Sequence, residues 1–224
     1  MKLRNLFIAC ISTLSVAQAA SIAIVNHDFE TEVLADTDLN IGAVTGWVAS
    51  GGGITGSFNP GTAFFTNGNI VDTAGTNGVI GTMDGDSALF IFESTGVTLT
   101  NTTTEAVADG TMYTLTVGVG GRDAGLSVFG GYLIELLDGD SVLASATSST
   151  IPAAGTFADV TVNYTGQASD AGNLAIRLSS LDTTTVNRYV DFDNVRLDAT
   201  VVPEPSSIAL LGLGGLALIL RRKK

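Results

Sequence analysis

Met112-Tyr113-Thr114-Leu115-Thr116-Val117-Gly118-Val119 alternates without a break. Tyr113, Leu115, Val117 and Val119 fall on one side of an extended chain, and Met112, Thr114, Thr116 and Gly118 on the other. A period of two over eight residues marks a half-buried strand, since a helix would scatter these side chains around its axis. Similar stretches lie on either side: Ser21–Val25, Gly46–Ala49, Ala88–Phe92, Val97–Thr100, Tyr132–Leu137, Val142–Thr147, Phe157–Tyr164, Leu174–Leu181 and Tyr189–Leu197. Clusters of Gly, Asp, Asn and Ser divide them. Asp138-Gly139-Asp140 reads as a hairpin turn between Leu137 and Val142. Phe157 is out of step with Val160, Val162 and Tyr164, which reads as a bulge or a later strand start. Residues 51–69, with Gly51-Gly52-Gly53 and Asn59-Pro60-Gly61, read as loop. The fold class is all-β, a jelly-roll or β-sandwich over residues 20–200.

The two ends have a different character. Lys2 and Arg4, the apolar run Leu6–Val16 and the small residues Ala17-Gln18-Ala19 form the pattern of a secretory signal peptide over residues 1–19. Cys10, the single cysteine of the chain, lies within it, so the exported part has neither a disulfide nor a thiol nucleophile. At the other end Pro203-Glu204-Pro205 precedes an apolar stretch and closes on Arg221-Arg222-Lys223-Lys224. Residues 206–220 predict a short transmembrane helix. At 1.5 Å per residue it is shorter than the roughly 30 Å hydrocarbon core, so spanning requires local thinning. The terminal cations keep the tail cytoplasmic and the preceding domain outside.

The C-terminal stretch, residues 201–224, resembles the PEP-CTERM sorting signal, with Pro203, Glu204 and Pro205 as the sorting motif. The resemblance implies a bacterial protein cut by signal peptidase at one end and handled by an exosortase at the other. It would be held by its C-terminal helix until processing, then delivered to the cell surface or beyond, where exopolysaccharide would be its neighbour. A plain C-terminal anchor is the alternative reading of the same residues.

From the end of the signal peptide up to and including Glu204 the chain holds no lysine, and only Arg122, Arg177, Arg188 and Arg196 face 22 carboxylates, a formal charge of −18. Such a surface cannot neutralise a run of phosphates, which excludes nucleic acid as a partner, and it attracts divalent cations.

Asn26-His27-Asp28-Phe29-Glu30 followed by Thr45-Gly46-Trp47 looks like the opening of galactose-binding-like jelly rolls, and Val190-Asp191-Phe192-Asp193-Asn194-Val195-Arg196-Leu197 is similar to their closing strand. The resemblance implies a structural calcium where the opening loop meets the last strand, with Glu30 and either Asp191 or Asp193 as ligands. The alternative is that these acids face solvent. Alternation along the last strand puts Asp191, Asp193 and Val195 on one face, opposite Phe192, and so at the rim.

Catalytic motifs are missing. His27 is the single histidine, no G-x-S-x-G elbow or P-loop occurs, and one His without an exported Cys makes no zinc site. Asp36-Thr37-Asp38-Leu39-Asn40 begins like an EF-hand loop, but Ile41 stands where a glycine is required. For a ligand site the candidates are Trp47, Arg122 and Tyr132, with Phe64, Phe65 and Phe129 as further aromatics. The sequence therefore predicts a non-catalytic exported surface or extracellular-matrix protein, with a carbohydrate-binding module as the alternative and a secreted glycoside hydrolase as a distant third.

Overall fold

The computed structural model describes residues 19–35, 37–60, 64–65, 70–71, 78–79, 83–123, 128–181 and 188–201. The expected signal peptide and the expected helix at 206–220 lie outside them, apart from Ala19. The described chain is all-β: β1 (Ala19–Ile22), β2 (Leu39–Ile41), β3 (Val48–Phe58), β4 (Ile70–Val71), β5 (Gly78–Val79), β6 (Ala88–Ala106), β7 (Thr111–Gly121), β8 (Val128–Phe129), β9 (Tyr132–Asp138), β10 (Ser141–Thr147), β11 (Thr156–Thr165), β12 (Asn173–Ser180) and β13 (Arg188–Val201).

The main path of hydrogen-bonded neighbours runs β10-β9-β12-β6-β13-β7-β11 and curls on itself. The bend comes from β6. Its first residues pair with β13, Leu89 to Phe192 and Phe92 to Tyr189, whereas residues 98–106 pair with β12. One long strand thus serves both layers of the jelly roll. β3 lies along the other edge of β6 from Val48 opposite Thr100 to Phe58 opposite Ala88.

Side chains between the layers form the principal core. Leu115, Val117 and Val119 of β7, Ile134 and Leu136 of β9, Ile176 and Leu178 of β12, and Val190 and Phe192 of β13 are all within it. The alternation read in residues 112–119 is the observed one, and the hairpin at Asp138–Asp140 joins β9 to β10 in antiparallel register, with Gly139 at φ +58°.

Three local expectations need correction. Residues 51–58 are strand, not loop, because pairing with β6 satisfies their backbone whatever the side chains are. Gly51 (φ +89°) brings the two backbones so close that a Cβ there would collide with the Gly96 carbonyl. Val97–Thr100 and Ala88–Phe92 are one continuous strand, β6. Finally, β11 pairs with β7 in unbroken register from Thr156 to Thr165. Phe157 is out of step with Val160 because it packs on the opposite face of the same strand, in a second apolar cluster.

That second cluster fixes the position of the site. Phe58, Phe65, Met83, Ala88 and Phe90 are buried in it, with Phe64, Phe92, Phe157 and Tyr189 packed against them. On β6 the even-numbered Phe90 and Phe92 belong to this cluster, while Leu89 and Ile91 point into the principal core. Both faces of this part of the sheet are therefore apolar.

Candidate active site

The face of β6 that carries Phe90 and Phe92 continues across its neighbours. Strand register sets Tyr189 opposite Phe92 and Asp191 opposite Phe90 on one side, and Ile54 opposite Phe92 on the other. Together with Leu39 and Ile41 of β2, Thr37, Phe58, Phe64 and Arg122, the residues Ile54, Phe90, Phe92 and Tyr189 surround an open cavity of about 270 Å³.

Ring geometry stiffens its walls. Phe58 meets Phe90 edge-on at 5.7 Å and Phe64 edge-on at 6.0 Å, and Phe92 stacks on Tyr189 at 4.2 Å. Such edge-to-face and offset contacts are the favoured arrangements of aromatic quadrupoles.

Arg122 enters from the end of β7. Its guanidinium carbon lies 3.6 Å from the Tyr189 ring centroid, 4.5 Å from that of Phe58 and 5.2 Å from that of Phe64. Beneath it, Nε donates to Asp191 Oδ2 and Nη2 to Asp191 Oδ1, both at 2.9 Å. The side chains are 7% and 0% exposed. Burial pushes the Asp191 carboxyl above the ordinary carboxylate range, and the Arg122 charge and hydrogen bonds only partly counter it. Removal of either partner alone leaves an unpaired group in a dry place. Space for the pair comes from Gly120, opposite Asp191 on β7, where a Cβ would lie 2.6 Å from Phe157 and 3.0 Å from the Asp191 Cβ.

The rim placement expected for Asp191 and Asp193 is therefore wrong: both are fully buried. The expected face for Val195 also fails, because the register between β13 and β7 slips between Asp193 and Arg196. Asn194 sits in the slip at φ +48°, and Val195 turns into the principal core.

Asp193 lies apart from the aromatic cavity. Its Oδ2 accepts from the Asp84 N–H at 2.7 Å, while Oδ1 is buried without a hydrogen-bond partner. Glu30 reaches the same loop, its Oε1 accepting from the N–H groups of Asp86 (2.7 Å) and Ser87 (2.5 Å). Burial raises both carboxyls, that of Asp193 well above its ordinary value, and the two repel each other. Among the described residues no group of three His, Cys, Asp or Glu side chains is arranged to hold a metal ion.

The other sequence candidates are spread through the molecule. Trp47 is in the principal core, 5.5 Å from Phe29, with Nε1 donating to the Asn26 carbonyl. Tyr132 is fully buried in the same core, and its hydroxyl accepts from the Thr150 N–H. Phe129 packs on Tyr132, and Phe65 on Phe157. His27 sits at the slip in β13, its carbonyl accepting from the Val195 N–H. Of Trp47, Arg122 and Tyr132, only Arg122 lines the aromatic cavity. Sequence reasoning passed over Phe58, Phe90, Phe92 and Tyr189 as site residues, because rings on strands read as core.

Comparison with known proteins identifies the family of the domain. The family model described as HpiC1 cyclase matches residues 20–198, and the model of the PEP-CTERM protein-sorting motif matches residues 201–224. Among solved structures, an apo cyclase from Fischerella sp. is 28% identical with a TM-score of 0.69, covering 83% of this chain and 98% of its own. The Stig cyclase Fisc from Fischerella sp. TAU, in complex with (3Z)-3-(1-methyl-2-pyrrolidinylidene)-3H-indole, is 25% identical, with a TM-score of 0.69 and coverages of 83% and 100%. A cyclase from Fischerella sp. TAU in complex with 4-(1H-indol-3-yl)butan-2-one is 25% identical, with a TM-score of 0.68 and coverages of 82% and 99%. No curated protein matches the chain. The family match overturns the expectation of a non-catalytic matrix protein, and with it the carbohydrate-binding alternative, and points to an enzyme. The sorting motif implies secretion and handling by an exosortase. From residue 20 to residue 198, this chain belongs to the HpiC1-like cyclase family.

Proposed function

We propose that the exported domain is a cyclase that closes a ring within an indole-type substrate held in the aromatic cavity. The observation that carries this reading is the cavity itself: Phe58, Phe90, Phe92 and Tyr189 with one buried ion pair beneath them, in a chain whose relatives hold indole ligands. Aromatic walls suit a flat aromatic body, and their π-faces stabilise positive charge that develops during ring closure. Holding a flexible side chain folded against its own ring converts a rare encounter into a resident geometry. Of the lining residues only Arg122 and Tyr189 carry titratable groups. In this reading Arg122 binds and orients, and the Tyr189 hydroxyl is the lining group that would move a proton. Asp191, screened from the cavity by Arg122, is a positioning residue. Ring closure without loss of atoms turns a π bond into a σ bond, so the substrate carries an unsaturated side chain. Conversion of such an indole into a product of unchanged mass tests the reading, and recovery of unchanged indole in every case contradicts it.

A calcium ion between Glu30 and Asp193 belongs to the same proposal as a structural support. The unpartnered, buried Oδ1 of Asp193 favours it, as does the nearby desolvated Glu30. Hard carboxylate oxygens are calcium ligands, and the remaining positions would fall to backbone carbonyls and water. The site would tie the opening loop to β13 and leave the chemistry to the cavity.

Signal peptidase at the N-terminus and exosortase at the Pro203-Glu204-Pro205 motif are the proposed processing partners. They would deliver the domain to the bacterial surface or the extracellular space, near exopolysaccharide.

A further inference from the structure

Arg122 holds more hydrogen-bonding capacity than its partner uses. Of five guanidinium N–H groups, Asp191 takes one from Nε and one from Nη2. Nη1 has no partner among the described residues, although the side chain is only 7% exposed. One face of the guanidinium is covered by the Tyr189 ring at 3.6 Å, so a ligand would meet its edge. Apart from the Thr37 and Tyr189 hydroxyls, the remaining lining side chains are hydrocarbon. A donor edge that opens on an apolar cavity needs an acceptor once a ligand displaces the water there, and the ligand is the natural source of one.

The charge state of the pair decides which acceptor. Asp191 already neutralises Arg122 through two hydrogen bonds. An incoming carboxylate would lose its water against a cation whose charge is cancelled, with a second carboxylate just beneath it. A carbonyl gives up far less hydration and still accepts from the free edge.

We propose that Arg122 makes the cavity selective for aromatic ligands bearing a neutral carbonyl acceptor, a ketone or amide, over their hydrocarbon and carboxylate counterparts. This rests on the cavity being the ligand site, as proposed above. It assigns Arg122 a role in specificity that the aromatic walls cannot supply, since π-faces accept any flat apolar body.

The test is a calorimetric titration of the mature exported protein with three indoles of matched shape. These are 4-(1H-indol-3-yl)butan-2-one, 3-butylindole and 3-(1H-indol-3-yl)propanoate. The ketone should bind about tenfold tighter than either of the others. Equal affinity for the ketone and 3-butylindole overturns the proposal while leaving the cavity as the ligand site. Tightest binding of the propanoate overturns the choice of a neutral acceptor. Failure of all three to bind overturns both this proposal and the reading of the cavity. The double variant Arg122→Met/Asp191→Leu, which removes both charges together, should lose the preference for the ketone while still binding 3-butylindole. A preference that survives in a folded double variant overturns the proposal. Should that variant fail to fold, the three-ligand series on the unmodified protein decides alone.

Discussion

Arg122 and Asp191 lie 69 positions apart in the chain, yet meet through two parallel 2.9 Å hydrogen bonds at the base of the aromatic cavity. Asp191 is fixed by its place on β13 beside Gly120, and Arg122 follows directly after β7, so adjacent strands deliver both partners. The pair is dry, and its energetics are those of mutual dependence. Arg122→Ala should cost about 3–5 kcal/mol of stability, because an uncompensated carboxylate remains buried. Arg122→Met/Asp191→Leu should recover most of that loss, since a hydrophobic replacement of a buried pair is often neutral. Urea denaturation of the two variants checks both statements.

Gly120 should tolerate no side chain. A Cβ would press on Phe157 and on the Asp191 Cβ, on the strand that borders the cavity. Gly120→Ala should destabilise by about 1–3 kcal/mol, as overpacking does. Adding Phe157→Leu should return part of it, and a thermal melt of the single and double variants is sufficient to see this.

Calcium should raise the melting temperature of the exported protein and EGTA should lower it. A ligand that binds only the folded state stabilises by about 2.7 kcal/mol at a hundredfold excess over its Kd. Magnesium should do much less, because it resists dehydration and demands a tighter octahedron. Melting curves that are superimposable with and without EGTA, and a Glu30→Gln variant that is neutral in calcium, would refute the site.

These features differ in how visible they are from sequence alone. The principal core is legible because β7 and its neighbours alternate a buried and an exposed face, as Leu115, Val117 and Val119 do. The second cluster is hidden for the opposite reason. β6 is apolar on both faces at 88–92, so nothing in Leu89-Phe90-Ile91-Phe92 tells which rings line a cavity. Gly51-Gly52-Gly53 reads as a loop because local sequence does not reveal that β6 will pair with it. Asp191 and Asp193 read as rim residues because burial of a carboxylate depends on partners far away in sequence, Arg122 for one and the Asp84 N–H for the other. The absence of a catalytic motif misleads for the same reason. A cavity that works by shape, π-faces and one ion pair leaves no short signature.

The tail makes its own prediction. Two prolines flank Glu204 in the sequence, and because proline fixes φ, a segment of this composition should lose little conformational entropy on entering a protease cleft. Glu204→Ala or Pro205→Ala should leave the protein exported but uncut. Intact-mass analysis of protein matured in its native host reads the outcome directly, and Arg221–Lys224 still attached to the unmodified protein would contradict processing at this motif.

Ring closure is the proposed work of the aromatic cavity. The most direct measurement is incubation of the mature protein with indoles that carry an unsaturated side chain at position 3, followed by chromatography with mass detection and NMR. The predicted result is a product of unchanged mass and altered retention, with an alkene signal lost and a new ring closed. It should form at a rate that drops at least tenfold in a folded Phe92→Ala variant, whose missing ring opens the wall against Tyr189. Unaltered indole throughout, or an isomer formed equally fast by the Phe92→Ala variant, would contradict the account.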